Sequence, residues 1–346
     1  MSPGDRRSTG GASAASSVAQ GIRLRVLIPV ALAILLLLAS FLFVFARDAE
    51  RRRQEELGRA ALLFEKLLLA QSSESVAFMR SISELLLDDP QIEDAFRRRD
   101  REELLTLAEP ILRDIRERNR ITHFYFILPD RTMLLRVQHP EAWGDRIERL
   151  VLQEAERTGL PTWANEQGPF GSLTLRVVYP WVRDGETIGF LELGKEFEDV
   201  VATFHRLLGV EGFVAADKHL FDRAKWESMR QKVGHEGDWD EFPTTLVLSR
   251  TQAEIPAGIA SYLETLDGEN HRKAFEVAAE DRALQAIVVP FADIRGRTLG
   301  EVVIVQDVTA SLAEERRAVL TVAALCTVIG GSLIALFFVL LGRVQS

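Results

Sequence analysis

The sequence predicts an α+β protein: two tandem antiparallel-sheet modules on a long N-terminal helix, flanked by two transmembrane helices. Three observations predict it. Val26–Ala46 and Ala318–Gly342 contain no charged residue, and about 20 apolar residues suffice for a helix to cross a bilayer's hydrocarbon core. After the first of these stretches, Leu57, Ala61, Phe64, Leu68 and then Met79, Ile82, Leu86 recur at three- and four-residue steps, the period of an amphipathic helix. Finally, a strand–turn–strand pattern around Pro180 returns around Pro290.

Residues 1–22 are rich in Ser, Gly and Ala without apolar periodicity and read as a disordered tail. Residues 23–47 read as the first membrane helix. Its apolar run exceeds the usual ~7–15 residues of a signal peptide, and FLFVFARDAE lacks an A-x-A-like cleavage site. Residues 48–120 read as a long stalk helix followed by two short ones, Gln91–Arg97 and Arg101–Arg118. The stalk is expected to lie on its own domain and also to pair with a second copy through the Leu57, Ala61, Phe64 face. In the short helices acids alternate with arginines, and the chain carries a net charge of -9, which argues for a solvated face and against nucleic acid as a partner.

Strands are expected at Phe124–Leu128 and Thr132–Gln138 around a Pro129-Asp130 turn, then a helix at Glu148–Arg157. A second hairpin, Leu173–Val182 and Thr187–Gly194, flanks Asp184-Gly185, a strong hairpin signal. There follow a helix at Glu196–Leu208, strand Val210–Ala216, helix Ala224–Val233, strand Thr244–Ser249, helix Glu254–Leu266 and two strands that end in a closing hairpin. VVYPWVRDGETIGFLELG and IVVPFADIRGRTLGEVVIV align on Pro180 with Pro290 and on Gly185–Gly189 with Gly296–Gly300. One extra residue between the Pro and the turn predicts a bulge or longer loop in the second copy. The modules are therefore set at 121–209 and 210–308, and 309–342 reads as a helix continuing into the second span, with 343–346 beyond it. The single cysteine, Cys326, lies in that span, so no disulfide is expected in the central region.

No GxGxxG, P-loop, GxSxG or HExxH pattern occurs, and the six histidines are dispersed, so no catalytic residue, metal or cofactor is expected. HEGDWDEF at His235–Phe242 lacks the calcium-loop spacing and reads as a solvated turn. Arg136 and Arg176 stand inside otherwise apolar strands. A guanidinium there is paired with an acid, reaches to water, or awaits an anionic ligand. Together with Tyr125, Tyr179, Trp163 and Glu166 in the same module, they outline a candidate small-molecule pocket. His139-Pro140-Glu141 and Gly144-Asp145 are either the loop over that pocket or a structural turn. Convergence of the two arginines under this loop would form a receptor for a carboxylate, while Glu166 and Asp145 would equally receive a cation.

HFYFILPDRTMLLRVQHPEAWGDRI and EQGPFGSLTLRVVYPWVRDGETIGFLELG resemble the membrane-distal module of double Cache sensory domains. HLFDRAKWESMRQKVGHEGDWDEFPTTLVLS and VVPFADIRGRTLGEVVIVQDVT resemble its membrane-proximal module. Family members usually carry two acids after the glycine, where this chain has Gly144-Asp145-Arg146. The resemblance implies PAS/Cache-like sheets and a non-catalytic, two-pass sensor of the bacterial inner membrane. Its central region would be periplasmic, its termini cytoplasmic, and its ligand a small molecule such as an organic acid or amino acid. Lipid bilayer and a second copy of the chain are expected partners. Relatives continue past the second span into an output domain, so a separate signalling partner is expected here; the alternatives are an accessory protein docking a periplasmic protein, or the front half of a split receptor.

Overall fold

The computed structural model describes residues 11–168, 172–197, 199–233, 237–265, 274–279 and 282–344. Residues 1–10 of the tail, His235-Glu236, His271 and Gln345-Ser346 lie outside the described residues. The chain divides into two compact units, Leu57–Asp307 and the pair Met1–Glu56 with Val308–Ser346.

The smaller unit is helical. Helix α1 (Gly11–Leu87) begins within the segment expected to be disordered. The physical reason is local: GASAASSVAQ has several alanines and no proline, so helix propensity competes well with disorder. Within Ile28–Leu87 and within the last helix are stretches long and apolar enough to cross a membrane. A Cβ on Gly330 would stand 2.4 Å from Leu38 Cδ1, so the two apolar helices approach closely there.

The larger unit holds the end of α1 and helices α2 (Pro90–Arg97) and α3 (Arg101–Asn119). After them come β1 (Ile121–Ile127), β2 (Met133–Arg136), α4 (Leu150–Thr158), β3 (Thr162–Gln167), β4 (Leu173–Arg183) and β5 (Glu186–Glu196). The second module repeats the plan after α5 (Asp199–Leu208): β6 (Glu211–Asp217), α6 (Arg223–Val233), β7 (Thr245–Arg250), α7 (Ala257–Glu264), β8 (Ala274–Ala279), β9 (Arg282–Ala292) and β10 (Thr298–Asp307). Helix α8 (Thr309–Val344) follows. Each sheet has five antiparallel strands in equivalent order, β2-β1-β5-β4-β3 and β7-β6-β10-β9-β8.

Local chemistry sets these elements. Asp89 and Asp100 cap α2 and α3, Asp89 Oδ1 accepting from the Gln91 and Ile92 amides and Asp100 Oδ1 from that of Glu103. Asp184 (φ 54) and Gly185 (φ 82) form the two-residue turn of the first closing hairpin. The second hairpin takes the longer loop, with Asp293 N donating to Arg297 O at 2.9 Å and Gly296 at φ 77. Register shifts occur in both copies, between Trp181 and Val182 and between Thr298 and Gly300, so the bulge is not confined to the second. The repeated glycines have a steric origin: a Cβ on Gly189 would lie 2.7 Å from Ile127 O, and one on Gly300 2.2 Å from Ala215 O.

One face of α1 serves both cores. Ala61, Phe64 and Leu68 pack with Phe197, Phe204, Val289 and Phe291. A turn or more further on, Val76, Met79 and Leu86 pack with Phe124, Phe126, Trp181 and Leu191. Leu57, Ala61 and Phe64, expected to pair two copies, are thus 6%, 7% and 3% exposed and face their own domain. The pattern found the apolar stripe, but the sheets cover it. Leu62, Leu63, Leu69 and Leu85 are the exposed large apolar residues of this helix segment.

Candidate functional site

The face of the first sheet that carries charge is built by strand alternation. Register places Tyr125 opposite both Arg136 and Glu192, Arg176 opposite Ala164 and Gly194, and Glu166 opposite Thr174. Helix α4 and the loop from Val137 to Arg149 lie over this face, where Ile147, Val151, Leu152 and Ala155 share a core cluster with Tyr125, Val178 and Phe190.

Arg136, Arg176 and Glu192 are buried, at 3%, 0% and 0% exposure. Their charges are matched inside the protein. Arg136 donates from Nη1 and Nη2 to the two oxygens of Asp145, both at 2.7 Å, and from Nη1 to Ala142 O at 2.7 Å. Glu192 takes Arg176 Nη1 at 2.5 Å and Arg149 Nη2 at 2.6 Å. The three guanidinium carbons lie 5.8, 5.3 and 5.8 Å from the Tyr125 ring centroid, for Arg136, Arg149 and Arg176 in turn, within cation–π range. Glu166 Oε1 accepts from the Leu150 amide at 2.6 Å, satisfying the first turn of α4, whose N-cap residue Arg149 offers no side-chain bond.

The balance is incomplete. Arg176 Nε and Nη2, the Nε atoms of Arg136 and Arg149, and Glu166 Oε2 are all buried without a hydrogen-bond partner, a state buried polar groups avoid unless something else meets them. Burial pushes the Glu166 carboxyl above its ordinary pKa, against the Leu150 amide and Arg176, which pull it down. Glu192 goes the other way: burial opposes its charge, but Arg149 and Arg176 outweigh it and hold its pKa low. Arg136 lowers Asp145 through its hydrogen bonds. His123, beside Tyr125 with ring centroids 5.8 Å apart, is pushed well below its ordinary pKa by burial and by Arg176 and Arg149, so it is neutral at pH 7.

The His139–Asp145 loop is tied on two sides. Inside, Arg136 holds Ala142 and Asp145; outside, Arg101 of α3 donates to Leu134 O at 3.0 Å and to Pro140 O, and stacks 4.1 Å over Trp143. Main-chain bonds between Gly144 N and Met133 O and between Met133 N and Asp145 O, both 2.9 Å, lay the end of the loop along β2. A cleft of ≈ 430 Å³ opens beside it, lined by Arg136, Asp145, Arg149, Gln167 and Gly168 and, from the second module, Asp222 and Lys225. Gly168 thins the wall: a Cβ there would stand 3.1 Å from Arg176 Nη2.

Of the residues singled out by sequence, Tyr125, Arg136, Asp145, Glu166 and Arg176 come together on this face. His139 does not enter it; its side chain is half exposed, with Nδ1 3.5 Å from Glu141. Tyr179 points to the opposite face, its hydroxyl donating to Glu84 of α1 at 2.7 Å and accepting from Arg80 at 3.3 Å. Trp163 is 42% exposed and lines a different cleft. Sequence reasoning missed Glu192, Arg149 and strand β3. Glu192 carried the same signal as the arginines, a charge within the apolar run FLELG. β3 carried none, because TWANEQ at a sheet edge is only partly buried and shows no alternation.

The acidic stretch of the second module is taken up in ion pairs: Asp240 with Arg223 at 2.6 Å and Glu241 with Arg250 at 2.5 Å.

No curated protein matches the chain. Among solved structures, it is similar to the periplasmic domain of Vibrio cholerae LuxQ, at 13% identity over 71% of this chain and 98% of that one, with a TM-score of 0.45. It is also similar to the sensor domain of the V. cholerae histidine kinase DctB, at 12% identity over 72% and 98% and a TM-score of 0.38. A third likeness is to the ligand-binding domain of the Campylobacter jejuni chemoreceptor Tlp3 in complex with 4-methylisoleucine, at 15% identity over 72% and 92% and a TM-score of 0.34. The family model described as the double sensory domain of two-component sensor kinase, the third double Cache group, matches residues 54–234. That match takes in more than half of the chain, the whole first sheet and the start of the second module, and the chain therefore belongs to the double Cache sensory-domain family.

Proposed function

We propose that this chain is a membrane-anchored, non-catalytic sensor whose first module binds a small carboxylate bearing a hydrogen-bond donor, such as an amino acid or hydroxy acid. The single observation that carries the reading is the unsatisfied part of the buried cluster: Arg176 Nε and Nη2 lack acceptors, and Glu166 Oε2 lacks a donor, on one sheet face. A carboxylate meets the guanidinium and an amino or hydroxyl group meets Glu166. Charge agrees. Arg136, Arg149 and Arg176 face Asp145 and Glu192, and burial raises the pKa of the third acid, Glu166.

The two apolar helices anchor the chain in a bilayer, with Leu57–Asp307 outside the cytoplasm. Copies pair through the exposed Leu62, Leu63 and Leu69 stripe of α1. Reporter fusions check the topology: one near Gly209 is active outside the cytoplasm and one after Arg343 inside, and the reverse pattern ends the sensor reading.

The binding test is thermal unfolding of the full chain in detergent against small organic acids, hydroxy acids and amino acids. A ligand at 100 times its Kd adds about 2.7 kcal/mol of stability. Arg176→Ala abolishes that gain, whereas Glu301→Gln in the second module retains it. Full stabilisation of the Arg176 variant by the same compound sinks the assignment of the site.

A further inference from the structure

Trp163, separated from the arginines, belongs to a second cleft of ≈ 380 Å³, where the edge strand β3, helix α1 and strand β9 of the second module meet. Its floor is the Phe197–Phe291 pair, ring centroids 4.4 Å apart, continued by Leu68 and Val289. Trp163 lines it as well, 42% exposed. Glu65 and Asp293 bring carboxylates, Ser72 a hydroxyl, and Asn165 an amide whose Oδ1 is buried without a donor. Asp293 is already engaged, its Oδ1 accepting from the Arg295 and Arg297 amides at 2.8 and 2.9 Å. No Lys, Arg or His is among the described lining residues.

An apolar chamber of this size with a few orienting polar groups is the usual form of a small-molecule site. Here the charged groups on the lining are carboxylates, and an indole attracts a cation over its face. We propose that this cleft binds an organic ammonium ion with a hydrocarbon or aryl body. The apolar part rests on Phe197, Phe291 and Leu68, and the ammonium group lies between Trp163 and Glu65 and supplies the donor that Asn165 Oδ1 lacks. The site is independent of the carboxylate pocket, since no residue lines both clefts. Its position gives it a structural lever: the tip of the β9–β10 hairpin carries Ile294 into the core cluster under α4, so an occupant of the cleft touches the element that joins the two modules.

The test is calorimetric titration of the full chain in nanodiscs, with empty nanodiscs subtracted, using phenethylamine and its uncharged counterpart phenethyl alcohol. The amine is expected to bind at least tenfold more tightly than the alcohol. Trp163→Ala is expected to weaken the amine at least tenfold and Glu65→Gln several-fold, and neither side chain is a core residue whose loss would unfold the domain. No heat of binding above the nanodisc background, equal affinity for amine and alcohol, or undiminished amine binding in both variants overturns the proposal.

Discussion

The first sheet's face beneath α4 buries Arg136, Arg176 and Glu192 around Tyr125, whereas the matching face of the second sheet, beneath α7, buries Phe213, Ala215, Val288 and Val303 with a single acid among the described residues. That acid, Glu301, accepts from the Tyr262 hydroxyl at 2.7 Å. Strand order is equivalent in the two sheets, and each closing strand carries, near its start, a glycine pressed against a carbonyl. One scaffold therefore tolerates either an aliphatic face or a charged one. Backbone hydrogen bonds and hairpin sterics define the scaffold, and the side chains of one sheet face are left free to differ. The charged face is the costlier, since each buried ion needs partners to offset its desolvation, and it is the face that leaves several buried polar atoms without partners.

The sharpest way to break this comparison is to remove the shared acid of the charged face. Glu192→Ala leaves Arg149 and Arg176 facing each other and is expected to cost about 3–5 kcal/mol, read as a loss of Tm. Glu301→Ala removes one hydrogen-bond partner and should cost about 1–3 kcal/mol. Equal losses would mean that the two faces are energetically alike and that the first is only a structural ion-pair network.

The scaffold itself is tested next. Gly300→Ala forces a methyl against Ala215 O, while Gly189→Ala meets Phe96 first, a side chain that is able to move. Both should destabilise by about 1–3 kcal/mol from overpacking, with Gly300→Ala the larger. The opposite order would show that the two hairpins do not share a steric origin.

Smaller again is a pH effect confined to the first module. Burial raises the Glu166 pKa, so the fold holds that proton more tightly than the unfolded chain does. Its contribution is full below the ordinary glutamate value and is lost as pH rises through the raised one. Asp145 and Glu192, both lowered, contribute above the ordinary carboxylate range, and their contribution is lost as pH falls through their lowered values. Glu166→Gln should flatten only the high-pH side of the Tm profile. A profile identical to wild type would place Glu166 outside the site.

The smallest effect concerns the helix shared by both modules. Cysteines at Leu62, Leu63 and Leu69 should crosslink two copies, and those at Leu57, Ala61 and Phe64 should not, with little change in stability for the exposed set. Crosslinking that favours the buried set would overturn the exposed seam.

Apart from β3, the order of elements was readable from the sequence, as were the two apolar spans, the repeat and its hairpin glycines, because they rest on local periodicity, turn chemistry and length. The odd charges in apolar strands were readable too, and they led to Tyr125, Arg136, Asp145, Glu166 and Arg176. Which charge meets which was decided only by tertiary structure. Arg136 reaches Asp145 across a loop, Arg149 and Arg176 meet on Glu192 from different elements, and strand alternation sends Tyr179 to the α1 side, away from Arg176. The α1 stripe makes the same point: its period marked an apolar face, yet only packing against the two sheets determined that this face lies inside the domain and that Leu62, Leu63 and Leu69 remain outside. Periodicity reports that a face is apolar; the partner that covers it comes from residues distant in the chain.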